Sequence, residues 1–386
     1  MLFAISAGLC WGIWGVLAKF IAFTIVLALI FLKEKFSIAE GTGLALALTG
    51  AYLLSVENKK SLQVETDLTN HTNKLQLAMN KMYQEIAEIP LAIENFFAAK
   101  QTVELPMRVP YMGMGSSYFA CMAFKYMGIN IYPEIASEYY NYLAAGKKSP
   151  CGVILSQSGK SRESAWRTGL FEKYIAISND PESTLCIQPN LEHAILLNAG
   201  TEEYSSSKTY SNTLLALFQG FRIDTREAAN LLVSGMADYE QQGSRIASHI
   251  FTDLPHRQSK GYYILGSGPN IATAKQAALI LSELTKISFQ GVAMAQYDHG
   301  PKETATDSTV IHIMSRGKSH QRAIELNKKI KEAGATVFTV EEASVSEGQS
   351  VLSNIVPFNF VGYHLAKHLN IDQTFVVGGK VTEVSG

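Results

Sequence analysis

Ser156, Gln157, Ser158 and Ser161 follow directly on an apolar run in "VILSQSGKSRES", Val153 to Ser164. Neutral donors at a strand end, beside the first N–H groups of a following helix, suit an anion. The helix dipole alone favours such an anion by about 0.3–1 kcal/mol. The "GKS" tripeptide raises a nucleotide-binding P-loop as another reading. Such a loop needs a second glycine five residues before its GK[ST] glycine, so that successive N–H groups wrap the phosphates. Ile154 stands at that position here, and His312 at the matching position before Gly317, so the P-loop reading fails. "GMGSSY" and "GSGPNI" likewise carry Tyr118 and Ile271 where a dinucleotide fingerprint has its third glycine. "GSS" ends the preceding motif strand, and its Ser116 and Ser117 can face the same crevice. A single serine there is a helix cap. Hydroxyls from two neighbouring strand ends together point to a phosphate cradle.

A second set of residues could move protons. Glu283 lies in the most apolar part of "IATAKQAALILSELTKI", next to Leu284. A carboxylate in that setting sits either at the buried mouth of a site or on a narrow solvent face, and the helix alone favours the solvent face slightly. His299 follows in "QYDHGP", a loop; an isolated histidine of this kind is more often structural. Together the two residue types suit proton transfer on carbon and oxygen near neutral pH. Lys380 lies in a glycine-punctuated tail, "DQTFVVGGKVTEVSG", where a lysine is ordinarily solvated.

The elements that would hold these residues alternate between short apolar runs and helical stretches, the pattern of parallel sheets covered by helices. Apolar residues at helical spacing, Leu77 through Phe97, predict a helical lead-in that Pro90 splits in two. "PYMGMGSSYFACMAFKYM" parallels "YYILGSGPNIATAKQAALIL", and "VILSQSGKSRESA" parallels "VIHIMSRGKSHQRA", in the same order along the chain. This repeat predicts an α/β fold of two tandem doubly wound domains. The expected boundaries are a hydrophobic segment at 1–56, a polar linker at 57–75, a helical lead-in and first domain at 76–235, and a second domain with the tail at 236–386. "MSRGKS" lacks the hydroxyl pair of "SQSGKS", so one phosphate site per chain is expected, in the first domain.

The chain's 386 residues carry 33 basic and 34 acidic side chains, a balance that gives no footprint for binding nucleic acid. Cys10, Cys121, Cys151 and Cys186 are scattered without a CxxC pair, which reads as reduced core thiols in a cytosol-facing protein. The first block, "MLFAISAGLCWGIWGVLAKFIAFTIVLALIFL", carries only Lys19 as a charge, and "LALALTGAYLLSV" follows it. Both have membrane character, and no basic region precedes them as a signal peptide requires. "SAGLCWGIWGVLAKF" and the helix pair after it resemble parts of a drug/metabolite-transporter-type permease. Its middle is missing, and the spans left are too few to enclose a transport path. The segment reads either as a membrane anchor, placing the protein at the cytoplasmic face, or as a fusion remnant without a role.

"GSS", "PEIASEYYNY", "LSQSGKS", "NAGTEEYSSSKTYS", "SELTKISFQGVAMAQYDHGP" and "GKVT" occur in the order found in the sugar isomerase (SIS) domain family. The chain resembles the tandem-SIS isomerase portion of glucosamine-6-phosphate synthase and SIS-type amino-sugar-phosphate deaminases. The resemblance implies a phosphate cradle of Ser117, Ser156, Gln157, Ser158 and Ser161, with Ser206 as a further sugar-binding hydroxyl. It implies Glu283 as the base between C1 and C2, His299 as the ring-opening histidine, and Lys380 as the tail lysine that meets the sugar carbonyl. No metal or organic cofactor is implied. A homodimer is, since that histidine can reach the site from a neighbouring subunit.

The chain also departs from the synthase. No glutaminase domain precedes the pair, so glutamine amidotransfer is not expected. Ile280 replaces a lysine one turn before the base, and the "SSSK" segment is one residue shorter. The expected activity is a sugar-6-phosphate isomerase or deaminase on an amino sugar. The alternatives are an aldose–ketose isomerase or deglycase on another sugar phosphate, or a non-catalytic phosphosugar sensor.

Overall fold

The computed structural model describes residue 50 and residues 73–144, 146–160, 167–254 and 260–380. The hydrophobic segment 1–56 (Gly50 apart), most of the linker, Ser161 and the tail beyond Lys380 lie outside the described residues. The chain divides into residues 1–74 and 75–386, and both sheets lie in the second part. Among the described residues, no helix is long and apolar enough to cross a membrane.

Helices α1 (residues 73–87) and α2 (Ile89–Ala98) form the lead-in, with Pro90 in the first turn of α2, where its missing N–H costs nothing. Met79, Met82, Ile86, Ile89, Ile93 and Phe96 are buried as their spacing predicts. Leu77 is not, at 59% exposed, because it lies about 200° around the helix from Met79 at 3.6 residues per turn.

The first sheet comprises β1 (Pro110–Gly113), β2 (Tyr132–Ile135), β3 (Ser149–Leu155), β4 (Phe171–Ser178) and β5 (Leu191–Leu196). Its order is β2-β1-β3-β4-β5 with every pairing parallel, and α3 (Ser116–Tyr126) follows β1. Three helices come next: α4 (Lys208–Gly220), α5 (Arg226–Ser234) and α6 (Met236–Asp253). The second sheet, ordered β7-β6-β8-β9, contains β6 (Gly261–Gly266), β7 (Phe289–Ala293), β8 (Ser308–Met314) and β9 (Thr336–Glu341). Helix α7 (Asn270–Thr285) follows β6, α8 (His320–Glu332) follows β8, and α9 (Val356–His368) closes the helical part.

Both faces of each sheet are covered at its central strands, which are therefore largely apolar. Val153 and Leu155 of β3 join one core cluster while Ile154 between them joins another. Ile311 and Ile313 of β8 likewise face one cluster, and Val310 and Met314 the other. His312 is a buried polar residue among them. Its Nδ1 lies 2.7 Å from Asn327 Oδ1, and burial pushes its pKa down, holding the ring neutral. The largest cluster runs without a break from the first sheet to the second, because α7 touches α3, and α9 touches both α6 and α7.

The α6–α9 contact depends on Gly243. A Cβ there would fall 2.5 Å from Phe360 Cβ and 2.8 Å from the Pro357 carbonyl oxygen. Alanine would gain about 1 kcal/mol in helix propensity, but overpacking against backbone costs about 1–3 kcal/mol. Gly243→Ala is therefore expected to destabilise the protein by up to about 2 kcal/mol in urea unfolding; a stabilised variant would mean the helices separate freely.

Candidate active site

The first sheet has one place where its connections diverge. From β1 the chain crosses to β2 on one side, while β3 pairs with β1 on the other. A crevice opens at the carboxyl ends of strands at such a point. Met112 pairs with Ile154 there, bringing the loops after the two strands side by side. A cleft of about 240 Å³ is lined by Ser116 and Ser117 from the first loop and by Ser156, Gln157 and Ser158 from the second. Both loops are tightly built. Gly159 has φ +60°, and a Cβ on it would lie 2.1 Å from Ser183 Oγ, so the turn closes only with glycine. Its N–H donates to Ser156 Oγ at 3.1 Å, and the N–H of Lys160 donates to Ser158 Oγ at 3.3 Å. Lys160 itself points away from the cleft and pairs with Asp180 at 3.0 Å on the surface.

Helix α7 belongs to the second repeat yet delivers a carboxylate to this first-sheet cleft. Leu279 lies against Gly115, and Glu283, one turn further along the same face, lines the cleft with it. Glu283 is half-buried, and the Ser205 hydroxyl donates to its Oε2 at 2.6 Å. Burial raises the Glu283 pKa above the ordinary carboxylate range, against the opposing pull of Ser205, Lys380 and Lys286. The expectation of a solvent face is corrected: α7 is covered on nearly every side, and the gap beside Glu283 is the cleft.

Ser206 and Lys380 also line the cleft. The tail is held at two points. Lys286 donates to the Thr374 carbonyl, and Lys380 Nζ donates to the Glu202 carbonyl at 2.7 Å, with Glu202 Oε2 at 3.4 Å. Lys380 is thus drawn in rather than solvated. The Glu202 side chain is fully buried and accepts from the Ser207 N–H at 2.9 Å, the Ser207 hydroxyl at 3.1 Å, the Thr209 N–H at 3.2 Å and the Thr209 hydroxyl. It therefore satisfies N–H groups at the start of α4 as well as the tail lysine. Glu85 of α1 supports the same segment, accepting from the N–H groups of Glu203 at 2.5 Å and Tyr204 at 3.0 Å; burial raises its pKa.

His299 is exposed at the end of a short helix, Met294–Asp298, and does not line the cleft of its own chain. Arg167, Ser205, Glu202 and Phe375 were not anticipated at the site. Arg167 is 2% exposed and lines the cleft, adding a positive charge beside the hydroxyls. Glu202 and Ser205 stand in "NAGTEEYSSSK", so the family motif marked the segment without marking these two residues. Among the described residues, no group of three or more His, Cys, Asp or Glu side chains could hold a metal ion.

No family model matches the chain. It is 26% identical over 349 residues to the glutamine–fructose-6-phosphate aminotransferase (isomerizing) of Wigglesworthia glossinidia brevipalpis, a match covering 77% of this chain and 55% of that protein. The chain spans about half the length of the curated relatives it matches. Among solved structures, the C-terminal domain of glucosamine-fructose-6-phosphate aminotransferase from Francisella tularensis superposes with a TM-score of 0.62 at 18% identity, covering 74% of this chain and 95% of that one. Glucosamine-6-phosphate deaminase from Thermotoga maritima gives 0.61 at 19% identity, covering 76% and 94%. The fold is that of the tandem SIS proteins. The chain's homologues are the SIS isomerase portion of glutamine–fructose-6-phosphate aminotransferases, and its structural neighbours include phosphosugar isomerases and deaminases.

Glu202 generates a test of how the site is held. Glu202→Gln keeps the volume but removes the charge that gathers four buried donors and Lys380. Lost hydrogen bonds to a charged group cost about 1.5–3 kcal/mol, and a loss of that size is expected in denaturant unfolding. Wild-type stability would mean the segment is held by Glu85 alone.

Proposed function

We propose that the protein is a phosphosugar isomerase or deaminase acting on an amino sugar 6-phosphate. The observation that carries this reading is the convergence, in one cleft, of a cradle of hydroxyls with a carboxyl group whose pKa burial has raised. Ser117, Ser156, Gln157 and Ser158 would hold the phosphate, with Ser116 and Ser206 alongside and Ser161, next after Lys160 in sequence, as a further donor; Arg167 would add charge. Glu283, poised nearer neutrality, would take the C2 proton of the open-chain aldose and return it to C1. With an amino group at C2, this step yields a C1 alcohol and a C2 imine. Addition of water to the imine then releases ammonia and leaves the ketose. A sugar without the amino group would stop at aldose–ketose exchange. Lys380 would meet the developing charge on the sugar oxygen from its seat on Glu202.

Ring opening needs a further acid–base group, and His299 is the candidate. Its exposure outside its own cleft favours a homodimer in which each subunit lends this histidine to its neighbour. Relatives named as aminotransferases and deaminases support the substrate class.

Assays of ammonia release and aldose–ketose exchange across hexosamine 6-phosphates test the reading. Glu283→Gln and His299→Ala are each expected to lower kcat by about 10²–10⁴-fold while phosphosugar binding persists. Mixed as unfolded chains and refolded together, the two should recover about a quarter of wild-type turnover, since half of the dimers then carry one intact site of two. Near-wild-type turnover of Glu283→Gln would exclude it as the base, and absence of recovery would place His299 in its own subunit's site.

The pH dependence follows from the raised carboxyl. A base must be deprotonated, so activity falls as pH drops through the raised Glu283 value, and the acidic limb lies above the ordinary carboxylate range. Ser205→Ala removes a donor that favours the carboxylate, so its limb is expected at still higher pH. A limb that does not move would assign it to another group.

A further inference from the structure

The second sheet repeats the geometry of the first. From β6 the chain crosses to β7 on one side, and β8 pairs with β6 on the other. Its connections therefore diverge between β6 and β8, and an anion crevice is expected at their carboxyl ends. That crevice is filled from within. Glu347, in the connection between β9 and the short helix Ser350–Asn354, places its carboxylate across both loops. After β8, the Ser315 hydroxyl donates to Glu347 Oε1 at 2.7 Å. A Cβ on Gly317 would lie 1.9 Å from Oε2, and one on Gly268, after β6, 3.3 Å from Oε1. The carboxylate thus lies directly against the backbone of both loops, at the place corresponding to the phosphate cradle of the first sheet.

The chain around Glu347 is fixed. Ser350 Oγ donates to the Glu347 carbonyl at 2.8 Å and accepts from Asn270 Nδ2 at 2.9 Å. Asn270 is the first residue of α7, and its Oδ1 accepts from Asn354 Nδ2 at 3.2 Å.

We propose that the ends of β6 and β8 form a second anion site whose resident ligand is the Glu347 carboxylate, and that a phosphate group occupies it once that carboxylate is removed. A carboxylate on a short, anchored tether acts at an effective concentration of millimolar or above. Free phosphate at ordinary concentrations does not displace it, and the second crevice stays closed in the native chain. The missing hydroxyl pair in "MSRGKS" accords with this arrangement, because the single hydroxyl of Ser315 is enough for a tethered acceptor. The proposal rests on the proposed phosphate reading of the first cradle only for its analogy.

The test is titration of inorganic phosphate into the full chain by calorimetry, comparing wild type with Glu347→Ala. The readout is the difference between them, so a first cradle that bound nothing would leave it intact. One additional equivalent per chain in the variant is expected, and Ser315→Ala in that background should abolish it. An unchanged stoichiometry in folded Glu347→Ala overturns the proposal, as does an additional equivalent that survives loss of Ser315. If the alanine variant does not fold, Glu347→Gln takes its place with thermal unfolding as readout. Phosphate must then raise its Tm by more than it raises that of wild type, and an equal rise overturns the proposal.

Discussion

The structure depends on burial of both faces of its two parallel sheets. Core clusters lie on either side of β3 and of β8, so these central strands offer little polar surface along their length. In the central strands, paired on both sides, backbone groups become free to meet a ligand where the strands end. Among those ends, a point where connections diverge leaves room between neighbouring loops. Among the described residues, the connections diverge between β1 and β3 and between β6 and β8.

At the first place, the site is assembled from parts distant in sequence. Helix α7 contributes Glu283, the tail contributes Lys380, and the "NAGTEEYSSSK" segment contributes Ser205 and Ser206. Two buried carboxylates, Glu85 and Glu202, keep these parts together. Burying a carboxylate costs several kcal/mol unless it is paired and hydrogen-bonded. Glu202 meets that requirement through Ser207, Thr209 and Lys380, and Glu85 through the N–H groups of Glu203 and Tyr204. Each carboxylate needs these partners, and the segment needs the carboxylates to end its backbone bonds inside the protein. This mutual dependence holds Lys380 at the cleft that Glu283 also lines.

The two repeats have diverged in how the same crevice is used. The first leaves it open, lined by hydroxyls and the buried Arg167. The second places the chain's own Glu347 across it. The two sheets share the order of their first three strands, and the loops after the paired strands carry different side chains, hydroxyls in the first and Ser315, bonded to Glu347, in the second.

Much of this was legible in the residues themselves. Continuous apolar runs such as "VIL" marked strands buried on both faces, glycine turns marked their ends, and the repeat gave two sheets, because these signals are local. The hydroxyl cradle followed for the same reason: Ser156 to Ser158 are adjacent in the chain and at a strand end. What local pattern could not decide was which way Glu283 faces, since a helix apolar on nearly every side shows no preferred face until its neighbours are in place. Nor could it show that Lys380 is drawn inward by Glu202, that Arg167 turns into the cleft, or that His299 stays outside it. Those outcomes depend on contacts between residues more than a hundred positions apart in the case of Lys380 and Glu202, and only closure of the tertiary fold brings such groups within the few ångströms over which charges and hydrogen bonds act.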